Sequence, residues 1–331
     1  KHYLTQLTDL YELLIAPLQP VLAKAQNLIV VPHGIFHFLS FESLAPKMDN
    51  ADFRSLDYLI RNYDIQYAWS AALWAKGSNN RTRSKYPFVG FALDFKTQPQ
   101  AGLMTPANFR AKLEPLNNAI PEVKAASDYF EGKVYTNGLA TKAQFLAIAP
   151  KSEIIHLATH AIANDQFPAE SGLLFSDDEQ DKDDFLNITE IYNLKLSSKL
   201  AVMSACNTGY GQLAEGEGAM SLGRAFLYAG CQSVIMSLWL ANDQSTSTIM
   251  QDFYKYAAEG SSKHQALRKA KLSYLEKADA LTAHPYFWAN LVAVGDMSPL
   301  AKDHSLGWLI GLVAIFTMLI FWWWNRRKKV V

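Results

Sequence analysis

Short apolar runs separated by amphipathic stretches set the pattern of this chain. Residues 28–31, 88–93, 133–135, 153–158, 199–204, 232–237 and 288–294 are apolar runs too short for buried helices, and they read as strands. Between them, apolar positions spaced three and four apart predict helices over 3–25, 120–130, 142–149, 219–229, 245–259 and 263–277. Strands that alternate with helices predict an α/β fold with a mainly parallel sheet and helices on both faces. Two polar stretches, 76–85 and 176–184, interrupt the alternation and read as solvated loops.

A different pattern closes the chain. Residues 306–324 are apolar except for glycines and Thr317, and as a helix they would reach roughly 28 Å, close to the thickness of a bilayer's hydrocarbon core. This predicts a C-terminal transmembrane helix. Trp322, Trp323 and Trp324 suit the interfacial aromatic belt, and Arg326, Arg327, Lys328 and Lys329 follow in the tail 325–331. Holding that charge inside places the tail in the cytoplasm and the folded part in a bacterial periplasm, as a single-pass protein of the inner membrane. Such a topology needs a signal peptide upstream, and Lys1 is no initiator, so the chain reads as part of a longer one. Cytoplasmic facing of the folded part, by tail anchoring, is the competing topology.

Composition narrows the function classes. The 331 residues are half hydrophobic, enough for a substantial core, and the formal net charge is zero. A zero balance argues against nucleic acid as a partner, since phosphate binding brings a basic excess. The eight histidines are scattered, and Cys206 and Cys231 lack a close-spaced partner, so neither a metal nor another cofactor is expected.

Two polar words at strand ends carry the candidate chemistry. One is His156-Leu157-Ala158-Thr159-His160-Ala161; the other is Ser204-Ala205-Cys206-Asn207-Thr208-Gly209. A thiol is only slightly ionised near neutral pH and needs an imidazole or other positive potential to become a nucleophile. Both words follow runs suited to buried parallel strands, whose carboxyl ends are where open α/β sheets place their sites. Cys206 and His160 are therefore the expected nucleophile and proton acceptor. His156 lies inside the strand and is assigned to packing or support, whereas His160 lies beyond the strand end, where a loop would expose it. A rival motif, Gly209-x-Gly211-x-x-Ala214, has the form of a dinucleotide loop. Its context fails, because the next strand, 232–237, is not followed by the acidic residue such a site uses, and Gly216-Glu217-Gly218 reads as a turn into the helix 219–229.

In chain order stand Val31-Pro32-His33-Gly34, Phe41-Glu42-Ser43-Leu44, Ala140-Thr141-Lys142-Ala143, the histidine word, Ser171-Gly172-Leu173-Leu174, the cysteine word, Gly216-Glu217-Gly218, Gly223-Arg224-Ala225-Phe226, Ser237-Leu238-Trp239 and His284-Pro285-Tyr286-Phe287-Trp288. This series resembles the CHAT domain, a caspase-like peptidase module in the clan of caspases and separase that is often joined to tetratricopeptide repeats. The cysteine word is also similar to the caspase pattern, with its histidine about 50 residues upstream. The resemblance implies a cysteine endopeptidase in which Cys206 attacks the scissile carbonyl and His160 handles the proton. It further implies backbone N–H donors at Cys206 and Ala161 for the oxyanion. Ala161 departs from the family's usual glycine, which restricts the backbone if the site needs φ > 0.

Separase carries a Leu-Trp word followed by an aspartate that receives a basic substrate residue, and Leu238-Trp239 with Asp243 is similar. That makes Trp239 and Asp243 substrate-binding candidates, while capping of a helix that starts near Gln244 is the other reading of Asp243. The resemblance divides the chain into an N-terminal pseudo-caspase-like subdomain (1–112), a catalytic domain (113–298), the transmembrane helix (306–324) and the basic tail (325–331). The expected partners are a protein or peptide substrate, the membrane and upstream tetratricopeptide repeats. The expected function is a membrane-anchored endopeptidase that cuts after a basic residue and is gated by a partner. An inactive scaffold of the same fold at the membrane is the alternative, motivated by Ala161, and acyl transfer by the same thiol is another.

Overall fold

A computed structural model of the chain describes residues 2–47, 52–77, 84–96, 113–162, 169, 171–176, 183–204, 213–214, 218–219 and 222–300. Its strands are β1 (Asn27–Val30), β2 (Asp64–Tyr67), β3 (Tyr86–Ala92), β4 (Gly132–Thr136), β5 (Ser152–Ala158), β6 (Ala161–Ile162), β7 (Gly172–Leu174), β8 (Phe185–Asn187), β9 (Leu200–Met203), β10 (Leu213–Ala214), β11 (Gly218–Ala219), β12 (Ser233–Ser237) and β13 (Leu291–Gly295). Its helices are α1 (His2–Leu14), α2 (Gln19–Leu22), α3 (Leu59–Asn62), α4 (Ala71–Lys76), α5 (Ala119–Tyr129), α6 (Lys142–Ile148), α7 (Ile188–Tyr192), α8 (Leu222–Tyr228), α9 (Asp243–Ala258) and α10 (Lys263–Lys277).

Eight strands form one sheet in the order β1-β2-β13-β12-β9-β5-β3-β4. Strands β12, β9, β5, β3 and β4 are mutually parallel. Strand β13 runs antiparallel to β12, and β2 and β1 run parallel to β13, so these three point the other way. Alternation along the central strands sends side chains to two cores. Val89, Phe91, Ile155, Leu157, Ala201 and Met203 meet Phe145 of α6 and Phe226 of α8 on one face. Phe88, Ile154, Leu200, Val202 and Ile235 meet Val123 of α5, Phe253 of α9 and Leu267 of α10 on the other. Each of the larger apolar side chains so buried contributes about 1.5–3 kcal/mol, which is why strands this short hold their register.

The helix expected over 3–25 is broken. α1 ends at Leu14, a 3₁₀ turn follows at Ala16–Leu18 and α2 starts a new segment, with Pro17 and Pro20 in the opening turns of the two later pieces. Proline has no N–H to donate and clashes with the carbonyl four residues back, so an unbroken helix is excluded. The helix expected from 219 begins at Leu222, because Ala219 pairs with Leu213 in a β10–β11 hairpin. Strand β2 and the three-stranded antiparallel sheet β6-β7-β8 were not foreseen, being four residues or fewer each.

The far end of the expected loop 176–184 is not solvated. Asp184 is fully buried, and Asp183 with Glu190 holds Lys142 at the start of α6, where Lys142 Nζ lies 2.7 Å from Glu190 Oε1. Among the described residues, no helix is long and apolar enough to cross a membrane. The expected span 306–324 and the tail 325–331 lie outside the described residues.

Candidate active site

Strands β5 and β9 are neighbours in the sheet, parallel and in register, with His156 opposite Val202 and Leu157 opposite Met203. Beyond the paired residues the Ser204 N–H donates to the Leu157 carbonyl at 3.2 Å. Both polar words therefore leave adjacent strands on the same rim of the sheet, and this juxtaposition was legible in the two apolar runs. Cys206 itself, with Ala205 and Asn207 to Gly209, lies outside the described residues. The second cysteine is unsuited to nucleophilic work, since burial pushes the Cys231 thiol up to about 12.

His160 is not exposed as expected. It is 7% accessible, because the chain past β5 enters β6 at once and the Leu174 N–H donates to the His160 carbonyl at 3.0 Å. The imidazole ring packs against Phe95 with centroids 4.7 Å apart, and its Nε2 lies 2.8 Å from the Glu114 carbonyl oxygen. A carbonyl only accepts, so Nε2 carries the proton and the neutral ring keeps its lone pair on Nδ1. Burial pulls the His160 pKa below its usual value, opposed by the Glu114 hydrogen bond and the negative charge of Asp243. The result is a neutral imidazole at neutral pH with one nitrogen able to take a proton.

The segment that presents Phe95 is strained and well pinned. Phe95 has φ +50°, a region that aromatic residues rarely occupy. Its neighbours hold it there: the Leu93 N–H donates to the Ala158 carbonyl (3.1 Å), the Asp94 N–H to Asn137 Oδ1 (3.1 Å) and the Leu116 N–H to the Asp94 carbonyl (2.9 Å).

Ala161 lies in β6 opposite Leu173, and positive φ among described non-glycine residues occurs only at Phe95 and Asn137. The glycine of the usual pattern is thus not required by backbone conformation at Ala161.

Asp243 is the first residue of α9, but Asn242 caps that helix, its Oδ1 accepting from the Ser245 N–H at 3.0 Å. Capping is therefore not the role of Asp243. Its Oδ2 accepts from the backbone N–H (2.9 Å) and the Nδ2 (2.7 Å) of Asn118. Beside it lies a cavity of about 20 Å³, lined by Leu116 and three alanines together with Glu122, Thr159, Ser204 and Thr246. Trp239 is half-buried and donates its Nε1–H to the Tyr286 carbonyl at 3.0 Å.

His156 is fully buried at the centre of a polar network. Its Nε2–H donates to Glu122 Oε1 (2.8 Å), its Nδ1 accepts from the Tyr254 hydroxyl (2.9 Å), and Ser204 Oγ stands 3.3 Å from Nε2. Asn118, Glu114, Glu122 and Tyr254 went unnoticed in the sequence. Only Glu122 left a signal there, as a carboxylate among Ala119, Val123 and Ala126 on the apolar face of α5.

The dinucleotide motif is not supported where it is described. Leu213 and Ala214 form a strand, whereas such a loop opens a helix. Gly209 and Gly211 lie outside the described residues.

Human tetratricopeptide repeat protein 28 is 24% identical over 345 residues, covering 91% of this chain and 13% of that protein. The mouse protein of the same name is 23% identical, covering 91% of this chain and 14% of its own length. The chain thus spans about an eighth to a seventh of these relatives. Among solved structures, the complex of Porphyromonas gingivalis RgpB pro- and mature domains superposes with TM-score 0.52 at 11% identity, over 90% of this chain and 69% of that one. The Arg specific cysteine proteinase gingipain R does so with TM-score 0.54 at 9% identity, over 90% and 68%. At these identities the two structures share the fold. The CHAT domain model matches residues 4–296, from α1 through β13, and the chain belongs to the CHAT domain family.

Proposed function

We propose that the chain is a caspase-like cysteine endopeptidase, with Cys206 as nucleophile and His160 as its proton acceptor. The observation that carries this reading is the in-register pair β5–β9, which delivers both words to one rim while Glu114 and Phe95 hold His160 with Nδ1 unprotonated. In this mechanism the Cys206 thiol gives its proton to His160 Nδ1, and the thiolate adds to the scissile carbonyl. The resulting oxyanion accepts from the N–H groups of Cys206 and Ala161, each such donor supplying about 3 kcal/mol of transition-state stabilisation. His160 then protonates the leaving amine, and the thioester left on Cys206 is hydrolysed by water that His160 deprotonates.

Substrate choice in this reading falls to Asp243, whose carboxylate receives the basic residue before the cut, with Trp239 as a neighbouring contact. One structural relative is itself an Arg specific cysteine proteinase, which points in the same direction. Residues 1–112 act as the supporting subdomain and 113–298 as the catalytic one. Residues 306–324 anchor the protein as a single-pass span with the tail 325–331 in the cytoplasm and the peptidase outside it. The curated relatives are tetratricopeptide repeat proteins, which supports repeats as the gating partner.

The test is incubation with peptides bearing Arg, Lys or Asp before the cut, using wild type and Cys206→Ala. Cleavage after Arg or Lys by wild type alone is expected. Equal inertness of both proteins in the presence of the native partner would overturn the peptidase reading in favour of a scaffold. A reporter fused after Val331 checks the anchor, and a reporter found outside the cytoplasm would overturn the topology.

A further inference from the structure

The segment 113–118, just before α5, touches two residues of the proposed site. Glu114 accepts the Nε2–H of His160, and four residues on Asn118 donates twice to Asp243 Oδ2. Asn118 stands at the N-cap of α5, where asparagine ordinarily turns its side-chain oxygen back onto the first turn. Here it makes no such cap and instead reaches across to α9. A favourable local bond is forgone for a contact 125 residues away.

That contact has the chemistry of a substrate mimic. Two N–H donors occupy one of the two carboxylate oxygens that a guanidinium fork would engage. The adjoining cavity of about 20 Å³ has room for about one water, far short of a guanidinium. Its wall, which includes Leu116, Ala119, Ala158 and Ala241, also carries two carboxylates. Glu122 and Asp243 both line it, as does Thr246, 2% accessible, whose buried hydroxyl finds no hydrogen-bond partner.

We propose that Asn118 is a specificity-determining residue, an occupant of the Asp243 subsite that a guanidinium must displace to bind. This rests on the reading in which Asp243 receives a basic substrate side chain, and it adds what that side chain competes with. An arginine replaces both donors of Asn118 with its own planar fork and brings a full positive charge. A lysine offers a single ammonium and replaces them less well, so arginine is selected over lysine. Because Glu114 lies on the same short segment, entry of the guanidinium is also sensed at the His160 ring.

The experiment measures binding of agmatine by calorimetry to wild type, Asn118→Ala, Asn118→Ser and Asp243→Asn, with the His160 ring signals followed by NMR. Asn118→Ser places at the N-cap a residue able to cap α5 and guards against a simple loss of folding. Removing one charge-directed donor is expected to tighten agmatine about tenfold in both Asn118 variants, with no binding to Asp243→Asn. Unchanged affinity in both Asn118 variants would overturn the proposal, as would binding that survives Asp243→Asn. Cleavage assays separate this from the catalytic reading. Tighter agmatine without cleavage of any arginine peptide sinks the peptidase and leaves the subsite standing. Arginine peptides cut with the same KM by wild type and Asn118→Ala sink the role of Asn118 alone.

Discussion

A histidine that spends its Nε2 proton on a backbone carbonyl has only Nδ1 left to accept one, and burial keeps that nitrogen unprotonated. In the proposed peptidase the acid limb of kcat/KM is therefore expected below 6.5, the ordinary histidine value. Phe95→Gly removes the ring that shields His160 and the strain at φ +50° together, so the limb is expected to move up toward 6.5 while folding survives. A limb unmoved in a pH–rate profile would refute this account of the His160 environment. His156 plays a different part. Replacing it by leucine leaves Glu122 buried without its donor, a loss of about 3–5 kcal/mol, and adding Glu122→Leu is expected to restore most of it. Urea unfolding of the single and double variants checks this, and additive losses would disprove the coupling. The two histidines were separable in the sequence because one lies inside an apolar run and the other just past it. Their partners were not legible, since Glu114, Glu122 and Tyr254 meet them only in the folded chain, across long separations in sequence.

Helix α5 is the element on which the site leans. It packs on β3 at Gly90, where a methyl group would collide with Val123 Cγ1 of the helix. Gly90→Ala is expected to push α5 outward and destabilise the fold by about 1–3 kcal/mol. The same displacement should loosen Asn118 from Asp243, read as tighter agmatine binding at a temperature where the variant remains folded. A stable variant with wild-type agmatine affinity would show that the helix does not set that contact. At this scale the central strands and α10 were read closely from the sequence, since apolar runs and helical spacing are local signals. The sheet β6-β7-β8 was not, because strands of two or three residues carry no periodicity, and Asp183 looks like a loop residue until Lys142 is folded against it.

At the scale of the molecule, the N-terminal residues are tied directly into the C-terminal helix. Lys271 of α10, fully buried, pairs with Glu42 and donates to the Leu291 carbonyl of β13. Glu42→Ala strands that ammonium and is expected to cost about 3–5 kcal/mol, with far-UV and tryptophan signals still unfolding together. Separate transitions for the two signals would mean that residues 1–112 fold independently. Acidification acts on the whole fold as well. Burial lowers the pKa of His160, His264 and His284 below 6.5, so the unfolded chain binds more protons and stability is complete above that value. Stability then drains away as the pH falls through the depressed folded values. A urea midpoint lower at pH 5.5 than at pH 7.5 is expected, and a flat dependence would contradict it.

The turn-back of β13 against β12 gives the sheet a side that carries the candidate site and a quiet side opposite it. Chain leaving β1, β2 and β13 emerges on the quiet side, where a cleft of about 560 Å³ opens beside Trp69, Trp74, His264 and Asp296. Fluorophores or affinity handles grafted there can track the protein without trespassing on its chemistry.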